Sequence, residues 1–200
     1  MKFFLGPLAL AALCLGAASC SLRQPAPVTQ SYALEVPTPP AGPAGAKSIN
    51  VLPFSAAPAA SDLMLLYRAD ELRYESDYYN RLLAPPARIL TGEMRQWLSA
   101  SRAGTVREPG APLASDLVVQ PRLTALYADY RDVGRPRAVI AMDIALIARD
   151  GSGARQLFNR PYRREVPMRE VSPSAAADGW GRGAGQIFAA FARDLRQAAP

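Results

Sequence analysis

Three consecutive segments of alternating apolar and polar residues constrain the fold of this chain most. They span residues 117–130, 138–148 and 155–166, and the turn sequence at 150–153 joins the last two. Such alternation is typical of antiparallel strands with one buried face. In the first segment, the residues predicted to share that face are Leu117, Val119, Leu123, Ala125 and Tyr127. The chain should therefore contain an antiparallel sheet with one apolar side.

Two segments carry apolar residues at helical spacing. The first follows Pro85 and Pro86, and its stripe contains Ile89, Leu90, Met94, Trp97 and Leu98. The second has Ser172 as a candidate N-cap and Pro173 at the first helical position. Its stripe contains Trp180, Ala184, Ile187, Phe188, Phe191 and Leu195. Glycines at 179, 181, 183 and 185 weaken the first half of this helix by up to about 1 kcal/mol each, so we expect it to begin later than the cap suggests.

Four shorter strands are predicted before the first helix. They cover residues 32–36 and 48–52, followed by a hairpin of residues 63–68 and 71–74. The order of elements is thus four strands, a helix, three strands and a helix. This order predicts an α+β fold with two layers, in which a mostly antiparallel sheet packs against two main helices.

The first residues have the pattern of an export signal. Lys2 precedes a short apolar run, and small residues lead to Cys20. This pattern predicts a lipoprotein signal peptide at 1–19, acyl groups on Cys20 and a polar, proline-bearing tether at 20–30. Ser21 after the cysteine favours the outer membrane, with the domain on its periplasmic face. A plain secretory signal with an incidental cysteine is the alternative.

Composition excludes several classes of function. The chain has no histidine, and its two cysteines both lie in the first twenty residues, which removes histidine-based catalysis, thiolate nucleophiles and Cys- or His-ligated metals from the body. Acidic pairs such as Glu75 with Asp77 are more typical of solvated turns than of a glycosidase. The net charge of +6 comes from scattered arginines without a nucleic-acid-binding motif. We therefore expect no enzyme, no cofactor beyond the acyl groups, no metal and no nucleic-acid partner.

Aromatic and guanidinium groups are concentrated in a short central segment, which we call the Tyr/Arg block. Its members are Tyr67, Arg68, Tyr74, Tyr78, Tyr79 and Arg81. Such groups are favoured in protein interfaces, because they bury a large area and keep a polar tip. The tyrosines could equally close one end of the core. The sequence leaves both interpretations open.

Several of these motifs together resemble the ABC-type transport auxiliary lipoproteins, a family that includes the PqiC-like lipoproteins. The resemblance covers essentially all of the chain after the signal. The segments that carry it are the small residues before Cys20, Tyr32–Leu34, Leu65–Tyr74, Tyr78–Pro86, the helix with Leu90, Met94 and Leu98, and the later strand with Asp116, Leu117 and Leu123. Ala17 and the glycine-rich start of the last helix depart from the family pattern.

The resemblance implies that residues 31–200 form an auxiliary domain of an intermembrane lipid transport system. The expected partners are a periplasmic MCE-domain protein, an inner-membrane ABC permease and an ATPase. The chain would dock the MCE protein or form a homo-oligomeric ring. Two alternatives are a monomeric lipid-binding shuttle and an envelope-assembly lipoprotein. A docking component should expose aromatic surface at the Tyr/Arg block, whereas a shuttle should enclose an apolar pocket.

Overall fold

The computed structural model describes residues 28–108, 110, 114–151 and 153–199. The predicted signal peptide, Cys20 and most of the tether lie outside these residues. Within them, the strands are β1 (Gln30–Tyr32), β2 (Ser48–Val51), β3 (Ser55–Ala56), β4 (Met64–Arg68), β5 (Tyr74–Leu82), β6 (Thr105–Val106), β7 (Leu117–Asp129), β8 (Arg137–Asp150) and β9 (Gly153–Pro167). The helices are α1 (Pro86–Ala100), α2 (Pro173–Ala198) and a short 3-10 helix, Pro58–Ala60.

The sheet is built around an antiparallel β7–β8–β9 meander. The other edge of β7 pairs in turn with β2, β3 and β4, all parallel to it. Strand β4 forms an antiparallel hairpin with β5, and β1 adds to β5 in parallel. The short β6 pairs with β2. The predicted α+β fold is confirmed, with parallel pairs added along one edge of β7.

Both α-helices cover the same face of this sheet and bury one continuous core. Trp180, Phe188 and Phe191 of α2 are almost fully buried, as are Leu90 and Met94 of α1. They form the apolar stripes that the helical spacing predicts. Large aromatic side chains contribute most of the buried area in a core of this kind.

A bulge in β7 reverses which residues face the core. The predicted alternation holds up to Leu123. Pairing with β8 then shifts between Leu123 and Ala125, as at a β-bulge. Beyond it, Leu126 and Ala128 belong to the core, whereas Tyr127 is buried on the opposite face of the sheet. The prediction that Ala125 and Tyr127 share the helix-covered face is therefore wrong, because an extra residue changes the period.

Helix α2 begins at Pro173, where the Ser172 hydroxyl accepts a hydrogen bond from the Ala175 N–H. The expectation of a later start, based on the glycines, is wrong. Tertiary packing explains the difference. A Cβ atom at Gly183 would lie 2.7 Å from Cγ2 of Ile140 in β8, so the absent side chain allows the helix to approach the sheet closely.

The opposite side of α2 carries the chain segment that leads from β1. A Cβ atom at Gly181 would overlap the carbonyl oxygen of Glu35. The Val36 N–H donates to a carboxylate oxygen of Glu93 in α1 at 3.2 Å, and Leu34 is 2% exposed in the core. This segment therefore packs against the helices, and the first strand ends at residue 32 instead of spanning the predicted 32–36.

The second strand of the hairpin lies later than predicted. Residues 71–74 were expected to be extended, but 70–73 form the turn. There the carbonyl of Arg73 accepts hydrogen bonds from the N–H groups of Ala69 and Asp70. Strand β5 then runs through Tyr74–Leu82. Four members of the Tyr/Arg block, Tyr74, Tyr78, Tyr79 and Arg81, therefore lie on β5. Arg68 of β4 pairs with Tyr74.

Candidate interaction surface

Members of the Tyr/Arg block lie on both faces of the β4–β5 hairpin. Tyr67 lies on the helix-covered face, where its ring stacks on Tyr130 with centroids 5.0 Å apart. Its hydroxyl donates to Oδ2 of Asp77 at 2.8 Å. Burial, and then the hydrogen bond to Asp77, raise the pKa of Tyr67. Burial together with the Asp77 charge raises the pKa of Tyr130 to about 12. Tyr67 thus fits the interpretation in which a tyrosine closes one end of the core.

Arg68 and Tyr74 lie on the other face. The Arg68 guanidinium is 5.6 Å from the Tyr74 ring centroid, a cation–π distance. The Tyr74 ring meets Tyr127 edge to face, with centroids 5.5 Å apart, and Nη2 of Arg163 donates to the Tyr127 hydroxyl at 2.9 Å. Tyr74 nevertheless remains 44% exposed. This group forms an ordered aromatic and cationic patch on the face away from the helices.

Tyr78 and Tyr79 project from a bulge in β5. Pairing with β4 shifts abruptly, from Leu65 opposite Asp77 to Met64 opposite Arg81. The intervening residues have no partner on β4, and the side chains of Tyr78 and Tyr79 are 74% and 53% exposed. These two tyrosines therefore do not close the core.

Asp77 fixes the conformation of this bulge. Its Oδ1 accepts hydrogen bonds from the N–H groups of Tyr79 and Asn80, both at 3.0 Å. Its Oδ2 accepts from Nδ2 of Asn80 and from the Tyr67 hydroxyl, both at 2.8 Å. Although partial burial opposes ionisation, these hydrogen bonds hold the pKa of Asp77 below its usual range. One carboxylate therefore connects the partly buried Tyr67 with the exposed tyrosines.

Arg81 lies beyond the bulge and next to β1. Its Nε is 3.4 Å from the Ser31 hydroxyl, to which it donates. The neighbouring residue Asn80 pairs with Gln30 of β1. Arg81 is exposed, so the structure brings it near Tyr78 and Tyr79 but separates it from Arg68 and Tyr74.

Ion pairs connect the tip of the β4–β5 hairpin to the β7–β8 turn. Nη1 of Arg131 lies 2.9 Å from Oε1 of Glu71, and its Nη2 lies 2.8 Å from Oδ2 of Asp129. The hydrogen bonds from Arg131 hold the pKa of Asp129 below its usual range. Leu72 at the tip is 95% exposed. Sequence reasoning did not connect Tyr127, Asp129 or Tyr130 with the Tyr/Arg block, because they lie in or directly after β7, distant along the chain.

A groove opens beside the hairpin, where β4 and β7 pair over only two positions. Its volume is about 360 Å³, near the lower end of the range for small-molecule sites. Apolar side chains dominate the lining, which includes Ala60, Met64, Leu66, Tyr74, Leu126 and Trp180. The indole Nε1 of Trp180 donates to the Tyr127 carbonyl at 3.1 Å. This groove is the feature that a lipid-binding shuttle would require.

Two further observations concern only the described ranges of the chain. No cluster of three or more His, Cys, Asp or Glu side chains is arranged to hold a metal ion there. Neither helix in that part of the chain combines the length and hydropathy of a membrane span. Glu75 and Asp77 also have different contacts, because Asp77 accepts hydrogen bonds within the bulge whereas a carboxylate oxygen of Glu75 lies 3.6 Å from Nε of Arg73.

Replacement of Asp77 by asparagine should destabilise the protein at neutral pH by about 1–2 kcal/mol, because hydrogen bonds to a charged acceptor are replaced by weaker ones. The pKa of Asp77 is lowered in the folded state. Its contribution is therefore fully present above the unfolded pKa of about 3.9 and is lost as the pH falls through the lower, folded value. Urea unfolding across a pH series should show the two stabilities converging in acid. An exposed control, Glu108→Gln, should change the free energy of unfolding by less than about 0.5 kcal/mol at neutral pH. Parallel curves for Asp77→Asn and the parent protein would contradict the assignment.

Comparisons with known proteins find likeness in structure only. Neither protein-family models nor curated proteins match the sequence. Protein XCC0632 from Xanthomonas campestris, described as DUF330, is similar at a TM-score of 0.74 and 17% identity, over 85% of this chain and 96% of that one. A crystal structure of an uncharacterized protein is similar at a TM-score of 0.67 and 18% identity, over 84% and 99% of the two chains. At these identities the likeness shows that the chain shares their fold.

Proposed function

We propose that this chain is an outer-membrane lipoprotein that docks a periplasmic MCE-domain protein, or forms a ring that receives it, in an MCE/ABC-type intermembrane lipid transport system. The observation that carries the proposal is the pair of exposed tyrosines, Tyr78 and Tyr79, on a bulge fixed by Asp77. Rigid aromatic side chains supply large contact areas at low entropic cost. An exposed aromatic pair on a fixed stretch of backbone is suited to a docking component.

The position of this pair relative to the chain start also supports the proposal. Strand β1 begins at Gln30, the last residue of the predicted tether, and pairs with Asn80 beside the tyrosines. If Cys20 carries the acyl groups, residues 20–27 extend at most about 28 Å from the membrane. The tyrosines would then lie close to the outer membrane and could meet a partner that approaches across the periplasm.

In this role the chain performs no reaction of its own. Hydrolysis of ATP would belong to the ATPase of the transport system, and the lipid would pass through the MCE protein. The polar groups of the Tyr/Arg block serve in cation–π contacts and hydrogen bonds that hold the surface in shape. They are suited to recognition of a protein surface.

The groove of about 360 Å³ supports a second candidate, a monomeric shuttle that carries a lipid tail. Native mass spectrometry of protein purified from membranes distinguishes the two. A lipid bound in a 1:1 complex with a monomer, lost on Leu66→Trp substitution in the groove, would favour the shuttle. A docking component should show no stoichiometric lipid and no effect of that substitution.

The anchor is tested by metabolic labelling with a palmitate analogue. The full chain should incorporate label and fractionate with the outer membrane, and Cys20→Ser should lose both properties. A Cys14→Ser variant is the matched control, since that residue lies within the predicted signal peptide. Labelling that persists in Cys20→Ser would contradict the anchor.

The partner is tested by a photo-crosslinking amino acid in place of Tyr79 in cells. The expected adducts are a second copy of this chain or an MCE-domain protein, identified by mass spectrometry. The same amino acid at Ser99, which is exposed on α1, should give neither adduct. Crosslinks from position 79 only to lipid or to other envelope-assembly proteins would favour the alternatives.

A further inference from the structure

The sheet has a free edge on each side of the described domain. Strand β9 contains 15 residues and, among the described residues, pairs only with β8. Strand β5 pairs with β4 on one side, and β1 covers only Asn80 to Leu82 on the other. Residues 74–79 are thus uncovered in the described structure. Free edges carry unpaired N–H and C=O groups that can pair with another strand.

The two edges carry opposite charge. The uncovered β5 residues 74–79 contain two acidic residues, Glu75 and Asp77, and no basic residue. Strand β9, Gly153–Pro167, contains four arginines and one acidic residue, Glu165. Two of these arginines have acidic neighbours, since Arg160 contacts Asp194 and Arg163 contacts Glu165. The excess of positive charge nonetheless remains along the strand.

This charge distribution selects among the ways in which two copies can meet. A two-fold pairing of β9 with β9 would bring arginines together, and β5 with β5 would bring carboxylates together. Both arrangements are disfavoured by like-charge repulsion. The pairing of β5 with β9 of the next copy joins opposite charges. It is heterologous, and repeated heterologous contacts close into a ring when the rotation allows it.

Strand direction is compatible with the same arrangement. Strand β9 runs parallel to β7, because both are antiparallel to β8. Strand β4 is parallel to β7, and β5 is antiparallel to β4. Strands β5 and β9 therefore run in opposite directions. Copies related by rotation about an axis along the strands would join these edges in an antiparallel ladder, with the bulge tyrosines in the contact.

We propose that copies of this chain assemble head to tail, with the tyrosine-bearing β5 edge of one copy against the arginine-bearing β9 edge of the next. This inference rests on the ring-forming version of the proposed function and defines its interface. It assigns Tyr78 and Tyr79 to a contact between copies. It also assigns a role to β9, which the sequence reasoning had treated only as a strand of the core sheet.

Cysteine pairs in the full chain, crosslinked in membranes with a short bismaleimide, test this arrangement. Ser76 and Asn159 are exposed, and both lie on the sheet face away from the helices, opposite Leu66 and Ala145. The Ser76→Cys/Asn159→Cys variant should give a ladder of products larger than a dimer, and each single variant should give none. Adding Arg155→Glu and Arg164→Glu should reduce the yield about tenfold. The matched control is Ser99→Cys/Asn159→Cys.

The outcomes separate this inference from the proposed function. A ladder confined to the Ser76/Asn159 pair supports the head-to-tail edges. Dimers from the single variants, or an equal ladder from the Ser99 control, would overturn the edge assignment. The ring itself would still be supported in that case if the mass in solution showed a discrete oligomer. Absence of any crosslink, together with a monomeric mass, would overturn both the edge assignment and the ring.

Discussion

Replacing Gly181 by alanine should lower the free energy of unfolding by about 2 kcal/mol. A methyl group there overlaps the backbone carbonyl of Glu35, and a backbone segment can move aside only by leaving the core. Overpacking of this kind costs roughly 1–3 kcal/mol. The gain in helix propensity, up to about 1 kcal/mol, offsets part of that cost. Urea denaturation followed by circular dichroism measures the difference.

Gly92 on α1 is the matched control, because a Cβ atom there has no neighbour within 4 Å. Gly92→Ala should raise the free energy of unfolding by about 0.5–1 kcal/mol. The two substitutions are chemically identical and should have effects of opposite sign. A stabilised Gly181→Ala variant would show that the segment after β1 does not cross α2 at this point.

The double substitution Tyr78→Ala/Tyr79→Ala should weaken self-association by a factor of about 100. Aromatic anchors in the centre of an interface contribute about 2 kcal/mol or more each, and their effects are not additive, so about 3 kcal/mol is expected for the pair. Both side chains are largely exposed in the isolated chain. The free energy of unfolding should therefore change by less than about 0.5 kcal/mol. Sedimentation equilibrium measures the association.

The control for this substitution is Val133→Ala, which removes another apolar side chain, 69% exposed, in the β7–β8 turn. It should leave the association constant unchanged. Equal association of the tyrosine double variant and the parent protein would remove Tyr78 and Tyr79 from the interface. Loss of folding in the double variant, on the other hand, would contradict their exposed position.

The long elements could be predicted because their side chains follow one period over many residues. The apolar stripe of α2, from Trp180 to Leu195, is uninterrupted, and the Ser172 cap with Pro173 marks its start correctly. The strands β7, β8 and β9 are 13 to 15 residues long, and the alternation of β7 holds up to its bulge after Leu123. Their combination fixes an α+β fold with both α-helices on one side of the sheet.

Local irregularities could not be predicted, because no period in the sequence marks them. A one-residue shift after Leu123 turns Tyr127 to the opposite face of the sheet. The bulge after Asp77 depends on hydrogen bonds that form only when β4 lies alongside. The glycines of α2 reduce helix propensity locally, yet they allow contacts with residues distant along the chain, such as Glu35 and Ile140.

The candidate site, too, could be predicted only in part. Composition alone selects the Tyr/Arg block, since aromatic and guanidinium groups are concentrated there. Periodicity could not assign its members to faces. The bulge separates Tyr67, which packs against the core, from Tyr78 and Tyr79, which are exposed. Tyr67 therefore fits the core interpretation, and the interface interpretation stays a prediction for Tyr78 and Tyr79.

The mass in solution of residues 21–200 tests the ring-forming role most directly. The core and both free sheet edges lie within the described part of this segment. Light scattering across a concentration series should give one discrete mass, corresponding to more than two chains, that falls for Tyr78→Ala/Tyr79→Ala. A mass of a single chain at every concentration would contradict self-assembly of the domain.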